Sequence, residues 1–93
     1  MTTTERRGET RKATAHQPRW KVLLHNDDHN DMRHVVASLC KAVPGMEPEE
    51  ATRIMMEAHL NGIGLVIVCP QEQAEYYRDR IQTFGLGCSI EPE

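Results

Sequence analysis

The densest concentration of chemically capable side chains is His25-Asn26-Asp27-Asp28-His29-Asn30-Asp31, seven polar residues in a row. Read as a calcium loop from Asp27, the ligand positions fall on Asp27, His29 and Asp31, but the sixth is Met32 instead of glycine and the twelfth is Ser38 instead of glutamate. That reading fails. Imidazole is a common ligand, so His25, His29, His34 and His59 leave a small histidine-based metal-binding protein as the alternative function, without a recognised ligand pairing or a nearby cysteine to support it. Hydrolysis needs a nucleophile beside a base. The hydroxyls nearest in sequence to Asp27, Asp28 and His59 are Ser38 and Thr52, and neither sits in a nucleophile elbow, so no enzyme is expected. Met55 and His59 are four residues apart and share one face of any helix that contains both. With Met32 and a neighbouring valine packed beside them, they would meet Asn26, Asp27 and Asp28 in an apolar pit with an anionic rim.

The elements that must position these residues are legible on either side of the polar run. Trp20-Lys21-Val22-Leu23-Leu24 reads as a strand. Met32, Val35, Val36, Leu39, Cys40 and Val43 recur at helical spacing, with Asn30 or Asp31 as N-cap and Pro44-Gly45 as the stop. A second helix starts near Pro48, a favoured first-turn residue, with Glu49 and Glu50 matching the helix dipole; Ala51, Ile54, Met55 and Ala58 mark its buried side and Gly62 ends it. Leu65-Val66-Ile67-Val68-Cys69 is continuously apolar and reads as a central strand. Pro70 opens a third helix with Ala74, Tyr77, Ile81 and Phe84 on one face and Gly85 as its stop, and Cys88-Ser89-Ile90-Glu91 reads as an edge strand. The order β-α-α-β-α-β predicts an α+β fold, a three-stranded antiparallel sheet with three helices on one face.

Ninety-three residues make one domain at most. Residues 1–19 carry five basic and two acidic groups and none of Val, Ile, Leu, Phe or Trp, whereas residues 20–93 carry six basic and twelve acidic groups. A disordered extension over residues 1–18 and a folded domain over 19–93 follow. Five scattered basic residues without aromatic partners, on an acidic body, exclude nucleic acid as a partner. No apolar run approaches the roughly 18 residues of a membrane span, and the first twenty residues are polar throughout, so no secretory signal is visible. Three cysteines without close spacing indicate no disulfide framework and a reducing, cytoplasmic setting.

The stretch Trp-Lys-Val-Leu-Leu-His-Asn-Asp-Asp (20–28), then Met32 and Val35-Val36, then Ala-Thr-Arg-Ile-Met-Met-Glu-Ala-His-Leu-Asn-Gly (51–62), resembles the ClpS family, adaptors of the ATP-dependent Clp protease, over residues 19–93. The resemblance implies a domain without a cofactor that recognises the N-terminal residue of a substrate protein and hands the substrate to a AAA+ unfoldase. It implies amine recognition by Asn26, Asp28 and His59, with Asp27 flanking and Asn30 where a threonine is expected. The implied hydrophobic pocket consists of Met32, Val35, Met55, Ala58 and Leu86 with Ile54 behind, suited to N-terminal Leu, Phe, Tyr or Trp. The implied partner is the N-terminal domain of a ClpA- or ClpC-type unfoldase, docked through a face that includes Glu72 and Glu75 and engaged by the N-terminal extension, with the adaptor a monomer.

The chain also departs from the family pattern. His29-Asn30-Asp31 stands where Tyr-Thr-Pro is common, His34 where phenylalanine is usual, Ala58 where a larger valine is frequent and Tyr77 where a lysine is common, and the loop around Gly45 holds an extra residue. Such departures are similar to those of divergent second copies of the adaptor in cyanobacteria and some other bacteria.

Overall fold

The computed structural model describes residues 17–93, so the extension expected over residues 1–18 lies outside the described residues except for Gln17 and Pro18. The order is β1 (Arg19–His25), α1 (Met32–Ala42), α2 (Pro48–Asn61), β2 (Ile63–Pro70), α3 (Gln71–Thr83) and β3 (Cys88–Pro92). This is the expected β-α-α-β-α-β arrangement, and both strand pairings are antiparallel.

Strand order corrects one expectation. The sheet runs β2-β1-β3, so the most apolar strand, β2, is an edge and β1 is central. A continuous apolar run normally signals burial on both faces. In β2 only Gly64, Val66 and Cys69 are buried, while Ile63 and Leu65 stay 43% and 39% exposed. The register shifts between Val22 and Leu23: Val22 faces Ile67 and Leu23 faces Leu65, so Val66 is the extra residue of a bulge. Leu65 N–H donates to the Glu57 carboxylate of α2 at 3.1 Å, which covers one backbone donor of the edge strand.

The helix ends are set by local chemistry. Asp31, not Asn30, caps α1: its carboxylate accepts from Arg33 N–H at 3.0 Å. At the other end of α1, Arg80 of α3 donates to the carbonyls of Ala42 (3.1 Å) and Lys41 (2.8 Å), satisfying acceptors that the helix leaves open. Helix α2 starts on Pro48 and stops at Gly62, whose φ of +90° is a left-handed conformation that glycine adopts without a Cβ penalty. Gly62 N–H donates to Ala58 O at 2.8 Å and closes the last turn, the turn that carries His59.

All three helices pack on one face of the sheet around Val22, Leu39, Ile54 and Ile81, each at most 1% exposed. Where α2 crosses β2 the two backbones nearly touch. A Cβ at Gly64 would lie 2.5 Å from Ile54 O and 3.1 Å from Ala58 N, so glycine is required there by the close approach. Among the described residues no helix is long and apolar enough to cross a membrane.

Candidate functional site

Strand β1 ends under restraint from both sides. His25 N–H donates to Gly87 O at 2.9 Å and Asn26 N–H to Gly62 O at 3.0 Å, so the polar run leaves the sheet from a fixed point. Three of its side chains then fold the loop onto itself. The Asp27 carboxylate accepts from His29 N–H at 2.7 Å, an Asx turn, and from the Asn30 carboxamide, while Asp31 caps α1. The His29 and Asn30 hydrogen bonds hold the Asp27 carboxyl below the usual carboxylate range, because both favour the ionised form.

The other polar groups are not used in this way. Among the described residues, Asn26, Asp28 and His59 make no side-chain hydrogen bond, and all three are exposed at the rim of a cavity of about 180 Å³. Asp27, Asn30 and His25 complete the rim, and the His25 ring is tied to Ser89 Oγ at 2.7 Å. Below the rim the walls are apolar: Leu24 from β1, Met32 and Val35 from α1, Met55 and Ala58 from α2, and Leu86 from the turn before β3. Val35, Met55, Ala58 and Leu86 are each at most 9% exposed, whereas Met32 is 47% exposed and stands at the mouth.

The residues named from the sequence are thus brought to one place, with two adjustments. Ile54 does not line the cavity; it is 1% exposed and supports the wall from within the core. Leu24 and His25 also line it, outside the set that the resemblance implies for the pit. The signal for Leu24 lay in strand alternation, since it shares the inward face with Val22. Glu72 and Glu75 lie at the start of α3 and form no part of the pit, with Glu75 accepting from Gln71 at 3.4 Å.

Chemically the arrangement offers acceptors and negative charge above an apolar floor. It suits a cationic donor that carries an apolar group. Among the described residues no three His, Cys, Asp or Glu side chains gather as a group that could hold a metal ion. Cys69 and Cys88 are buried, and burial pushes the Cys88 thiol up to about 11, so neither presents a ready thiolate.

The comparisons with known proteins agree with this architecture. The family described as "ATP-dependent Clp protease adaptor protein ClpS" matches residues 15–89. An ATP-dependent Clp protease adapter protein ClpS of Synechococcus elongatus is 53% identical over 76 residues, covering 82% of this chain and 80% of that protein. One of Gloeobacter violaceus is 44% identical over 91 residues, covering 98% and 95%. A chloroplastic relative from Arabidopsis thaliana, CLPS1, is 43% identical and spans 91% of this chain. Among solved structures, Agrobacterium tumefaciens ClpS2 bound to L-phenylalaninamide superposes with a TM-score of 0.77 at 34% identity, over 83% of this chain and 99% of that one.

Proposed function

The chain belongs to the ClpS family of ATP-dependent Clp protease adaptors, which are not themselves enzymes, and from that membership we propose that its pit binds the free N-terminal residue of substrate proteins. The observation that carries the reading is the convergence of Asn26, Asp28 and His59, unpaired among the described residues, around the mouth of an apolar cavity. An α-amino group is largely an ammonium at neutral pH, with donors and no acceptor. The Asn26 carboxamide oxygen, the Asp28 carboxylate and a neutral His59 ring nitrogen are three acceptors of the right kind, and the carboxylate also attracts the charge. The side chain of the same residue enters the pit, where Met32, Val35, Met55, Ala58 and Leu86 receive a Leu, Phe, Tyr or Trp. Full burial of such a side chain is worth about 1.5–3 kcal/mol. Methionine walls adapt to flat rings and to Leu alike.

L-phenylalaninamide, bound by the Agrobacterium neighbour, has the required parts: a free amine, an aromatic side chain and an amide in place of the next peptide bond. The substrate would then pass to the N-terminal domain of a ClpA- or ClpC-type AAA+ unfoldase in the cytoplasm, docked on the α3 face that carries Glu72 and Glu75, with the adaptor acting as a monomer.

The test is a pair of peptides with N-terminal Leu, one with a free amine and one N-acetylated. Acetylation removes the charge and leaves the rim acceptors unpaired, at about 1–3 kcal/mol for each group that stays desolvated. Binding of the free peptide with at least tenfold loss on acetylation is expected. Equal affinity for the two would sink the proposal.

A further inference from the structure

Asn30 occupies a place in the loop where a direct contact with the ligand amine is the obvious role. Its hydrogen bonds say otherwise. The carboxamide nitrogen donates to the Asp27 carboxylate and, at 3.2 Å, to Gly85 O, which lies 55 residues away in sequence. Both partners are acceptors only, so the NH₂ side of the amide must face them and the orientation of the group is fixed by the network. One side chain therefore joins the rim loop to the turn after α3.

That turn, residues 84–87, belongs to no helix or strand, since α3 ends at Thr83 and β3 begins at Cys88. It nevertheless supplies Leu86, 3% exposed and a wall of the pit. Three bonds from residues 25–34 hold it. His25 N–H donates to Gly87 O at 2.9 Å, the Asn30 amide bonds Gly85 O, and His34 Nε2 lies 2.8 Å from Phe84 O. A carbonyl only accepts, so His34 presents Nε2–H. The first bond is backbone and independent of sequence. The other two come from Asn30 and His34, and Asp27 takes the second N–H of Asn30 and orients it.

We infer that Asn30 and His34 are positioning residues, a clasp that holds the 84–87 turn and so presses Leu86 into the pit, setting which side chains it accepts. The inference rests on the pit being the N-terminal-residue site. Releasing the clasp lets Leu86 move outward and widens the pit, so the largest ring gains relative to Leu. Asn30 acts through Gly85 and not on the ammonium.

Two variants test this, because Asn30→Asp keeps the shape of the side chain while removing both donors and setting a carboxylate against Asp27 and Gly85 O. His34→Phe keeps a ring and removes the donor. Two quantities are read in each: hydrogen exchange of the amides of residues 84–87, and the affinity ratio for free peptides with N-terminal Trp and Leu. Exchange should quicken about tenfold or more, and the Trp-to-Leu ratio should rise several-fold, as expected for a lost hydrogen bond. If Asn30 instead met the amine, Asn30→Asp would add attraction: tighter binding of both peptides at an unchanged ratio overturns the clasp. Unchanged exchange overturns it as well, whatever the peptides show. Faster exchange with an unaltered ratio in both variants overturns the link to selectivity. A wild-type domain that binds free and acetylated peptides equally overturns the amine reading separately, and the exchange measurement still decides the clasp.

Discussion

Asp27 and Asp28 are neighbours of identical type in one polar loop, and they are employed in opposite ways. Asp27 turns back on its own loop, accepting from His29 N–H and the Asn30 amide. Asp28, one residue on, makes no side-chain hydrogen bond among the described residues and stands at the rim of the pit. The contrast extends to their neighbours, with Asn30 and Asp31 tied to the scaffold and Asn26 and His59 left open. Preorganisation explains why both sets are needed: open acceptors converge on a ligand only if other groups have already fixed the backbone that carries them.

Four outcomes would break or sharpen this contrast. The largest effect belongs to the open set: Asp28→Ala and His59→Ala should each weaken a free Leu peptide by tenfold or more in a titration, with thermal stability near wild type, as for other exposed substitutions. A variant that unfolds would move its residue to the structural set. Asp27→Ala comes next. It removes the partner of both His29 and Asn30, so affinity should fall several-fold while exchange of the His29 amide quickens. Asp31→Ala should cost about 1 kcal/mol of stability through the lost cap, seen in denaturant unfolding, and change affinity less than twofold. The smallest effect is on pH. Asp27 has a lowered folded-state pKa, so its contribution to the loop is complete above the unfolded value of 3.8 and fades only as pH falls through the lower folded value. The Asp27 carboxyl carbon chemical shift should therefore hold from pH 7 to about 5 and move only in stronger acid.

Much of this was legible in the sequence because periodicity and punctuation are local. The helix faces of α1 and α2, the stops at Gly62 and Gly85 and the shared helix face of Met55 and His59 follow from spacing alone. What escaped depends on pairing across the chain. The apolar run of β2 suggested a central strand, yet the covering of one face by α2 and the Val66 bulge let an edge strand carry it. Asn30 and Asp31 are equal candidates for the α1 cap in the sequence; the structure has Asp31 as the cap and the Asn30 amide bonded to Asp27 and Gly85. Leu86 is placed in the pit by resemblance, but the turn that carries it is bonded to residues fifty or more positions away.

The contact at Gly64 bears on how such a site can vary. At Gly64 helix α2 rests on β2 nearly peptide against peptide, with the Ile54 carbonyl and the Ala58 amide nearest and only an Ile54 methyl beside them. The height of α2 above the sheet is therefore a built-in datum, fixed by the thickness of a backbone, and His59 and the Gly62 carbonyl that anchors Asn26 are both measured from it. Side chains such as Ala58 can be exchanged for larger or smaller ones to retune the floor while the spacing across the rim keeps its calibration. On the proposed reading of the pit, selectivity and amine recognition become separately adjustable quantities in a domain too small to give each its own layer.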